Sequence, residues 1–262
     1  MIDFSRSALP PKLWLYTNFD CNLRCPYCVT KSTPAAPRRA LGLANVRRLV
    51  DEAAALGFRH VFFTGGEPFI LDEVCDMLAY ASARMRTTVL TNGMLLWGRR
   101  LDRLEGIANP NLRVQVSLDG SRPKDHEAYR GEGTWARTVT GIERLLAREL
   151  QVCISTTETP ANSDRMKELH RFRRGLGVRD EDHLVRPLAR RGFSRDGLNL
   201  GRHNLHPELT ITAEGAFWHP LTFPGDTDLK VREELFPLVK AVEAIEQELA
   251  CGPESSPRTE FT

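Results

Sequence analysis

Six short β-favouring apolar runs, separated by stretches of helical periodicity, constrain the fold of this chain more than any other feature. The runs cover residues 13–17, 61–64, 87–91, 112–118, 152–157 and 183–187. Between the first two, residues 43–56 place Val46, Leu49, Val50, Ala53 and Leu56 at helical spacing, with Gly57 as the stop. The next helix carries Val74, Met77 and Leu78, and a weaker one spans residues 97–107. A fourth carries Val139, Ile142, Leu145 and Leu146. A fifth carries Met166, Leu169 and Phe172, with Asn162 or Ser163 as its cap and Gly175 or Gly177 as its stop. This rhythm predicts a parallel sheet covered by helices. A doubly wound sheet and a partial TIM-like barrel both satisfy it. In either architecture ligands bind at the C-terminal ends of the strands. Those ends are residues 20–28, 65–68, 91–92 and 117–120.

After Pro187 the rhythm changes. An Arg- and Gly-rich connector covers residues 186–202, and its arginines (Arg186, Arg190, Arg191 and Arg195) read either as a solvated basic loop or as a contact for an anionic substrate. Residues 209–212 and 216–218 flank Glu214-Gly215 as a hairpin. An amphipathic helix is expected over residues 231–249, and the polar segment 252–262 is expected to fray. The 262 residues carry a net charge of +2, from 36 basic and 34 acidic residues, which gives no footprint for nucleic acid or an anionic membrane. No apolar run approaches a membrane span of about 20 residues, and the first residues lack the apolar core of a signal peptide. A cytoplasmic protein is expected.

Three of the six cysteines fall within eight residues, in Cys21-Asn22-Leu23-Arg24-Cys25-Pro26-Tyr27-Cys28. In a reducing compartment such a group points to metal rather than to disulfides. Three thiolates in one loop can ligate three irons of a [4Fe–4S] cube and leave the fourth iron open for a ligand. The rival is zinc, but a structural zinc site takes four ligands, usually as two pairs. No second pair is near, and the nearest histidine is His60. A zinc-stabilised binding module and a non-catalytic iron–sulfur scaffold are the alternatives to an enzyme.

The C-x3-C-x2-C spacing with Tyr27 before its last cysteine resembles the signature of the radical S-adenosylmethionine (SAM) superfamily. Thr64-Gly65-Gly66-Glu67-Pro68 resembles that superfamily's GGEP motif, and Leu90-Thr91-Asn92-Gly93 its third-strand end. Val116-Ser117-Leu118-Asp119-Gly120, followed by His126-Glu127-Ala128-Tyr129-Arg130-Gly131, resembles a segment of the branch that often carries a SPASM or twitch C-terminal domain. The resemblance covers roughly residues 12–190 with its motifs in order. It implies a partial (β/α)6 TIM-like barrel over residues 1–190 and a small α+β extension over 191–251. It implies one [4Fe–4S] cluster on Cys21, Cys25 and Cys28, and SAM bound to its open iron. Reductive cleavage of SAM would then give a 5′-deoxyadenosyl radical that abstracts hydrogen from a peptide or a biosynthetic intermediate. A flavodoxin- or ferredoxin-type protein would supply the electron.

The same resemblance assigns SAM contacts. Gly65 and Gly66 allow close backbone approach, and Glu67, Pro68 and nearby carbonyls meet the amino group. Arg130 and Ser117 hold the carboxylate. Asn92 and Asp119 are candidates for ribose or supporting contacts, and Tyr27 for packing on adenine. SPASM and twitch domains add cysteines for auxiliary clusters, but only Cys75, Cys153 and Cys251 remain, far apart in sequence. His219 stands where the extension would place a cysteine. A degenerate extension without a cluster is expected, covering the mouth of the barrel. Cys153 is either a plain core residue or a hydrogen donor facing the lumen.

Overall fold

Each expected strand–helix unit is present in the computed structural model, which describes residues 2–4, 7–251 and 259. The first half contains β1 (Lys12–Tyr16), α1 (Leu43–Leu56), β2 (His60–Thr64), α2 (Val74–Ser82), β3 (Arg86–Thr91), α3 (Arg99–Glu105) and β4 (Leu112–Ser117). Then follow α4 (Pro123–Arg130), α5 (Thr134–Leu146), β5 (Gln151–Glu158), α6 (Met166–Gly175) and β6 (His183–Pro187). These six strands pair in parallel and lie in sequence order across the sheet. The order never reverses, so the sheet has no topological switch point and is not doubly wound. Right-handed crossovers running one way put the helices on one face. The architecture is the partial (β/α)6 TIM-like barrel.

Side chains alternate between the two faces of each strand. Leu13, Leu15, Val61, Phe63, Val89, Val114, Val116 and Ile154 join the core beneath the helices. Their neighbours in sequence, including Trp14, Tyr16, Thr64, Leu90 and Ser117, line the opposite, concave side.

Three local expectations change. The segment before Arg130 forms α4, although it carries no apolar stripe. Pro123 occupies its first turn and Gly131 follows its end, an arrangement suited to a short helix. Asn162 precedes a single 3-10 turn, 163–165, ahead of α6, and its side chain makes no capping hydrogen bond. Its amide instead accepts from Thr159 N (2.7 Å) and donates to Asp119 O (2.7 Å) and Thr157 O (2.9 Å), stitching the ends of β4 and β5. The helix expected over 231–249 starts late. After β7 (Thr210–Thr212) and β8 (Gly215–Phe217), residues Lys230–Arg232 form a further strand, β9, and the helix α7 runs Leu238–Cys251. Pro237 lacks the amide hydrogen a helix interior needs, so the helix begins just after it.

β7 pairs in parallel with β1, through Trp14 with Thr210 and Leu15 with Ile211, and β8 and β9 extend the sheet in antiparallel fashion. The C-terminal segment is therefore continuous with the barrel sheet. α7 packs beside α1, where Leu238 N donates to Glu52 Oε2 at 2.6 Å. The tail expected to fray lies outside the described residues apart from Thr259, which bridges to Leu205. Among the described residues no helix is long and apolar enough to cross a membrane.

A buried carboxylate fixes the strand ends. Glu67 accepts from Phe69 N (3.1 Å), Thr91 Oγ1 (2.8 Å) and Asn92 N (2.8 Å). Burial pushes its pKa up from the ordinary 4.5 to about 6 against the opposing pull of these donors. A raised carboxyl pKa contributes stability below the unfolded value and loses it as pH rises through the folded one. Thermal melts of wild type should therefore show a loss of stability between about pH 4.5 and 6. In Glu67→Gln that dependence flattens and the whole curve sits lower, because an amide NH2 meets donors. A second test concerns Gly141 on α5, where a Cβ would fall 2.2 Å from Gly93 O. Overpacking of this kind costs about 1–3 kcal/mol. Gly141→Ala should lower Tm by roughly 3–10 °C despite the better helix propensity of alanine.

Candidate functional site

The loop after β1 holds the cysteines, and it is braced before it reaches them. Asn18 Nδ2 donates to Asp20 O (2.9 Å) and Oδ1 (2.7 Å), and Arg38 Nε donates to Asp20 Oδ2 (2.9 Å). Cys21 N donates to Thr33 O across the loop at 3.2 Å. Cys21 and Cys25 pack with Leu23 and Met94 in a small apolar cluster, with Tyr27 and Cys28 at its edge.

The thiols sit where a thiolate would be supported. Leu23 N donates to Cys21 Sγ and Ser32 N to Cys28 Sγ, each at 3.4 Å. Thr30 Oγ1 lies 3.1 Å from Cys28 Sγ. Burial pushes the Cys21 thiol well above the usual range and Cys25 up to about 11. As free thiols these two are unreactive, whereas a coordinated metal displaces the proton outright. Among the described residues no three His, Cys, Asp or Glu side chains converge on a single-ion site. Tetrahedral zinc needs its sulfurs each about 2.3 Å from one centre, whereas a cube takes one thiolate per corner. The donor set and its apolar, N–H-lined surroundings fit a cluster.

All three cysteines open on one cavity of about 210 Å³ at the C-terminal ends of the strands. Tyr27, Gly65, Gly66, Asn92, Ser117 and Arg130 line it too. Gly65 and Gly66 press on the backbone of the cysteine loop, and a Cβ on Gly66 would lie 2.0 Å from Asp20 O. Asn92 serves the loop as well: its Nδ2 donates to Asn22 Oδ1 at 2.8 Å, and its Oδ1 accepts from Met94 N at 3.0 Å.

Glu67, Pro68 and Asp119 lie behind the cavity wall rather than on it. Pro68 starts a buried turn, and the Glu67 carboxylate is occupied by the three donors described above. Asp119 accepts from Arg130 Nε (2.6 Å) and Tyr27 OH (2.5 Å) on one oxygen and from Thr157 N (2.9 Å) on the other. Burial opposes its charge, but the adjacent guanidinium and these hydrogen bonds outweigh burial and hold its pKa below the usual carboxylate range. Arg130 is thus gripped through Nε, and its side chain is part of the cavity lining. The Tyr27 hydroxyl belongs to this network, and its ring centroid lies 5.4 Å from that of Tyr129.

The remaining candidates separate from the site. Cys75 packs into the core beneath the helices. Cys153 is buried, its Sγ 3.9 Å from Gln115 Oε1, and it does not line the cavity. His219 is buried rather than at the surface. Its Nδ1 accepts from Leu221 N at 3.1 Å, and burial drives its pKa down to about 3, so it is neutral. The far wall of the cavity was not identified from the sequence: Trp14, Tyr16, Leu90, Pro220 and Leu221, with Arg186 among them. Strand alternation in β1 and β3 was the signal available for Trp14, Tyr16 and Leu90. Nothing local marks Pro220 or Leu221, which the Tyr16 hydroxyl anchors by donating to Pro220 O.

Comparison with known proteins places these features in context. The chain is 30% identical over 160 residues to an AdoMet-dependent heme synthase of Methanosarcina barkeri, covering 60% of this chain and 45% of that protein. It is 29% identical over 195 residues to the subtilosin biosynthesis protein AlbA of Bacillus subtilis, covering 71% of this chain and 40% of that one. The chain therefore spans less than half the length of these relatives. Its fold is similar to that of Streptococcus suis SuiB bound to the precursor peptide SuiA, with TM-score 0.62 and 19% identity over 70% of this chain and 40% of that one. It is also similar to anSMEcpe with bound AdoMet, with TM-score 0.68 and 11% identity over 91% and 82% of the two chains. Residues 15–172 match the radical SAM superfamily, and the chain belongs to that family.

Proposed function

We propose that this chain is a radical SAM enzyme that binds one [4Fe–4S] cluster through Cys21, Cys25 and Cys28, and cleaves SAM to start radical chemistry on a substrate. The observation that carries this reading is the single cavity lined by two buried cysteines and the half-buried Cys28, by the glycine pair after β2 and by Arg130. When bound, the cluster supplies the electron that breaks a carbon–sulfur bond of SAM. The chain's own residues bind, orient and exclude water. Gly65 and Gly66 present backbone to the SAM amino group without steric hindrance. Arg130 and Ser117 receive the carboxylate. Tyr27 and Asp119 position Arg130, Asn92 ties the cysteine loop to the end of β3, and Glu67 with Pro68 positions the glycine turn.

The class of substrate follows the relatives, which include a bacteriocin biosynthesis protein and a heme synthase by name. A peptide or a biosynthetic intermediate is the proposed substrate, and a flavodoxin- or ferredoxin-type protein the electron donor. Residues 1–190 form the catalytic barrel, and residues 191–251 a degenerate extension that holds no cluster and walls the cavity.

Two measurements test the assignment. Anaerobically reconstituted protein should hold about four irons per chain, the content of one cube. Changing Cys21, Cys25 and Cys28 together to Ala should abolish iron binding and 5′-deoxyadenosine formation with dithionite, with the far-UV dichroism retained. A full complement of iron in that variant, or about eight irons in wild type, would refute the assignment. Separately, Arg130→Ala should weaken SAM binding by about 1.5–3 kcal/mol, the worth of a charge-assisted hydrogen bond. Calorimetry on the reconstituted variant reads this directly, and an unchanged affinity removes Arg130 from the SAM site.

A further inference from the structure

Arg186, the last residue but one of β6, lines the same cavity as the cysteines. Its position contrasts with that of the other deeply placed arginines. Arg130 pairs with Asp119, Arg173 with Asp180, and Arg191 with Asp226 and Asp228. Arg186 has no ion pair among the described residues. Its Nη1 meets Ser155 Oγ at 3.3 Å, and its buried Nε has no hydrogen-bond partner. The nearest acidic influence is Glu208, whose carboxylate already accepts from Trp14 Nε1 (2.5 Å) and Lys12 Nζ (3.4 Å). Burial pulls the Arg186 pKa below its ordinary range, with Glu208 and Cys153 only partly opposing. A guanidinium in such a place is costly unless an anion completes it.

We propose that Arg186, with Ser155 beside it, is the substrate-recognition residue of this enzyme and that the substrate carries a carboxylate that docks there. The inference rests on the SAM-cleaving reading for the identity of the opposite wall. One planar fork next to one hydroxyl matches the two oxygens of a carboxylate. A phosphate dianion would want more cations or a nest of backbone N–H groups, and Glu208 nearby opposes a second negative charge. Trp14, Tyr16, Pro220 and Leu221 line the same cavity as Arg186 and the cysteines. A substrate held by its carboxylate at Arg186 would lay an apolar portion along them toward the cysteines. The carboxylate belongs either to a peptide side chain or to a free small acid; both present the same chemistry.

The test is calorimetry on protein reconstituted with cluster and SAM, using two pairs of probes. One pair is 3-phenylpropionate and its neutral amide. The other is a capped tripeptide, Ac-Ala-Glu-Ala-NH2, and its glutamine counterpart. In at least one pair the acid should bind tenfold or more tighter than the amide. A preference in the peptide pair assigns the carboxylate to a side chain, and one confined to the small pair assigns it to a free acid. In Arg186→Gln the preference should fall to within about twofold, with Arg186→Lys recovering part of it. Equal affinities in both pairs for wild type overturn the proposal, as does a preference that survives in Arg186→Gln. The wild-type comparison needs no variant to fold, and binding needs no turnover. Failure of the SAM-cleaving reading would appear separately, as wild type that makes no 5′-deoxyadenosine.

Discussion

A carboxylate without solvent holds the ends of three strands in one arrangement. Glu67, just after β2, takes donors from its own turn and from the end of β3. Its backbone amide donates to Asp20 O beyond β1 at 3.0 Å, one residue from Gly66, whose N donates to Asn18 O at 2.9 Å. The two glycines let these chain segments meet at backbone contact distance, which no side chain would allow. Removing one partner of such a network leaves buried donors unsatisfied, which costs more than the bond itself is worth. The loop carrying the cysteines hangs from this junction, so its geometry is set by the sheet rather than by the loop's own preferences.

A second buried network does the same for the positive side of the cavity. Asp119 leaves the end of β4 and collects Arg130, Tyr27 and the Thr157 amide. Tyr27 lies between Cys25 and Cys28 in sequence, so the network couples the cysteine loop to α4. Arg130 is held at Nε by Asp119 and lines the cavity. An arginine held at one nitrogen loses less rotamer freedom on binding a carboxylate than one on the surface would.

The barrel was legible in the sequence because its strands are short β-favouring runs with one face in the core and its larger helices carry clear stripes. Residues 43–56 form α1 with the bounds that Val46, Leu49, Val50 and Ala53 dictate. α4 was missed because Pro-Lys-Asp-His-Glu-Ala-Tyr-Arg shows no stripe, and its helix signal lies in the flanking proline and glycine. β9 was absorbed into the expected C-terminal helix because Val231 and Leu235 continue the apolar spacing of α7 across Pro237. At the site, motif resemblance located the right segments but not the faces. Glu67 and Asp119 sit in the motifs, yet their carboxylates turn inward to brace the wall, and which way a side chain points depends on partners 24 or more residues away. Arg186 fell in both the expected strand 183–187 and the arginine-rich connector, so the sequence left it between a solvated loop and an anion contact; its place in β6 puts it on the cavity.

The C-terminal segment completes the sheet in a way that local signals could not reveal. In a partial barrel β1 and β6 would both be edges, each exposing unpaired N–H and C=O groups. β7 removes the first of these edges by pairing with β1 through Trp14 and Leu15. The pairing also settles where the following residues go. His219, Pro220 and Leu221 come just after β8, and the Tyr16 hydroxyl at the end of β1 reaches Pro220 O. One strand pairing thus protects an edge and brings Pro220 and Leu221 to the cavity wall beside Trp14 and Tyr16. Arg191 ties the connector to the same region through Asp226, Asp228 and Leu221 O. Gly192 lies against the carbonyls of Cys28 and Val29, where a Cβ would fall 2.3 Å from either oxygen. Phe193 N donates to Cys28 O at 3.0 Å. The connector is therefore seated on the cysteine loop at its base and on the far wall at its side. The C-terminal hairpin is thus linked to Cys28 through hydrogen bonds of the connector, at Arg191 on one side and Phe193 on the other.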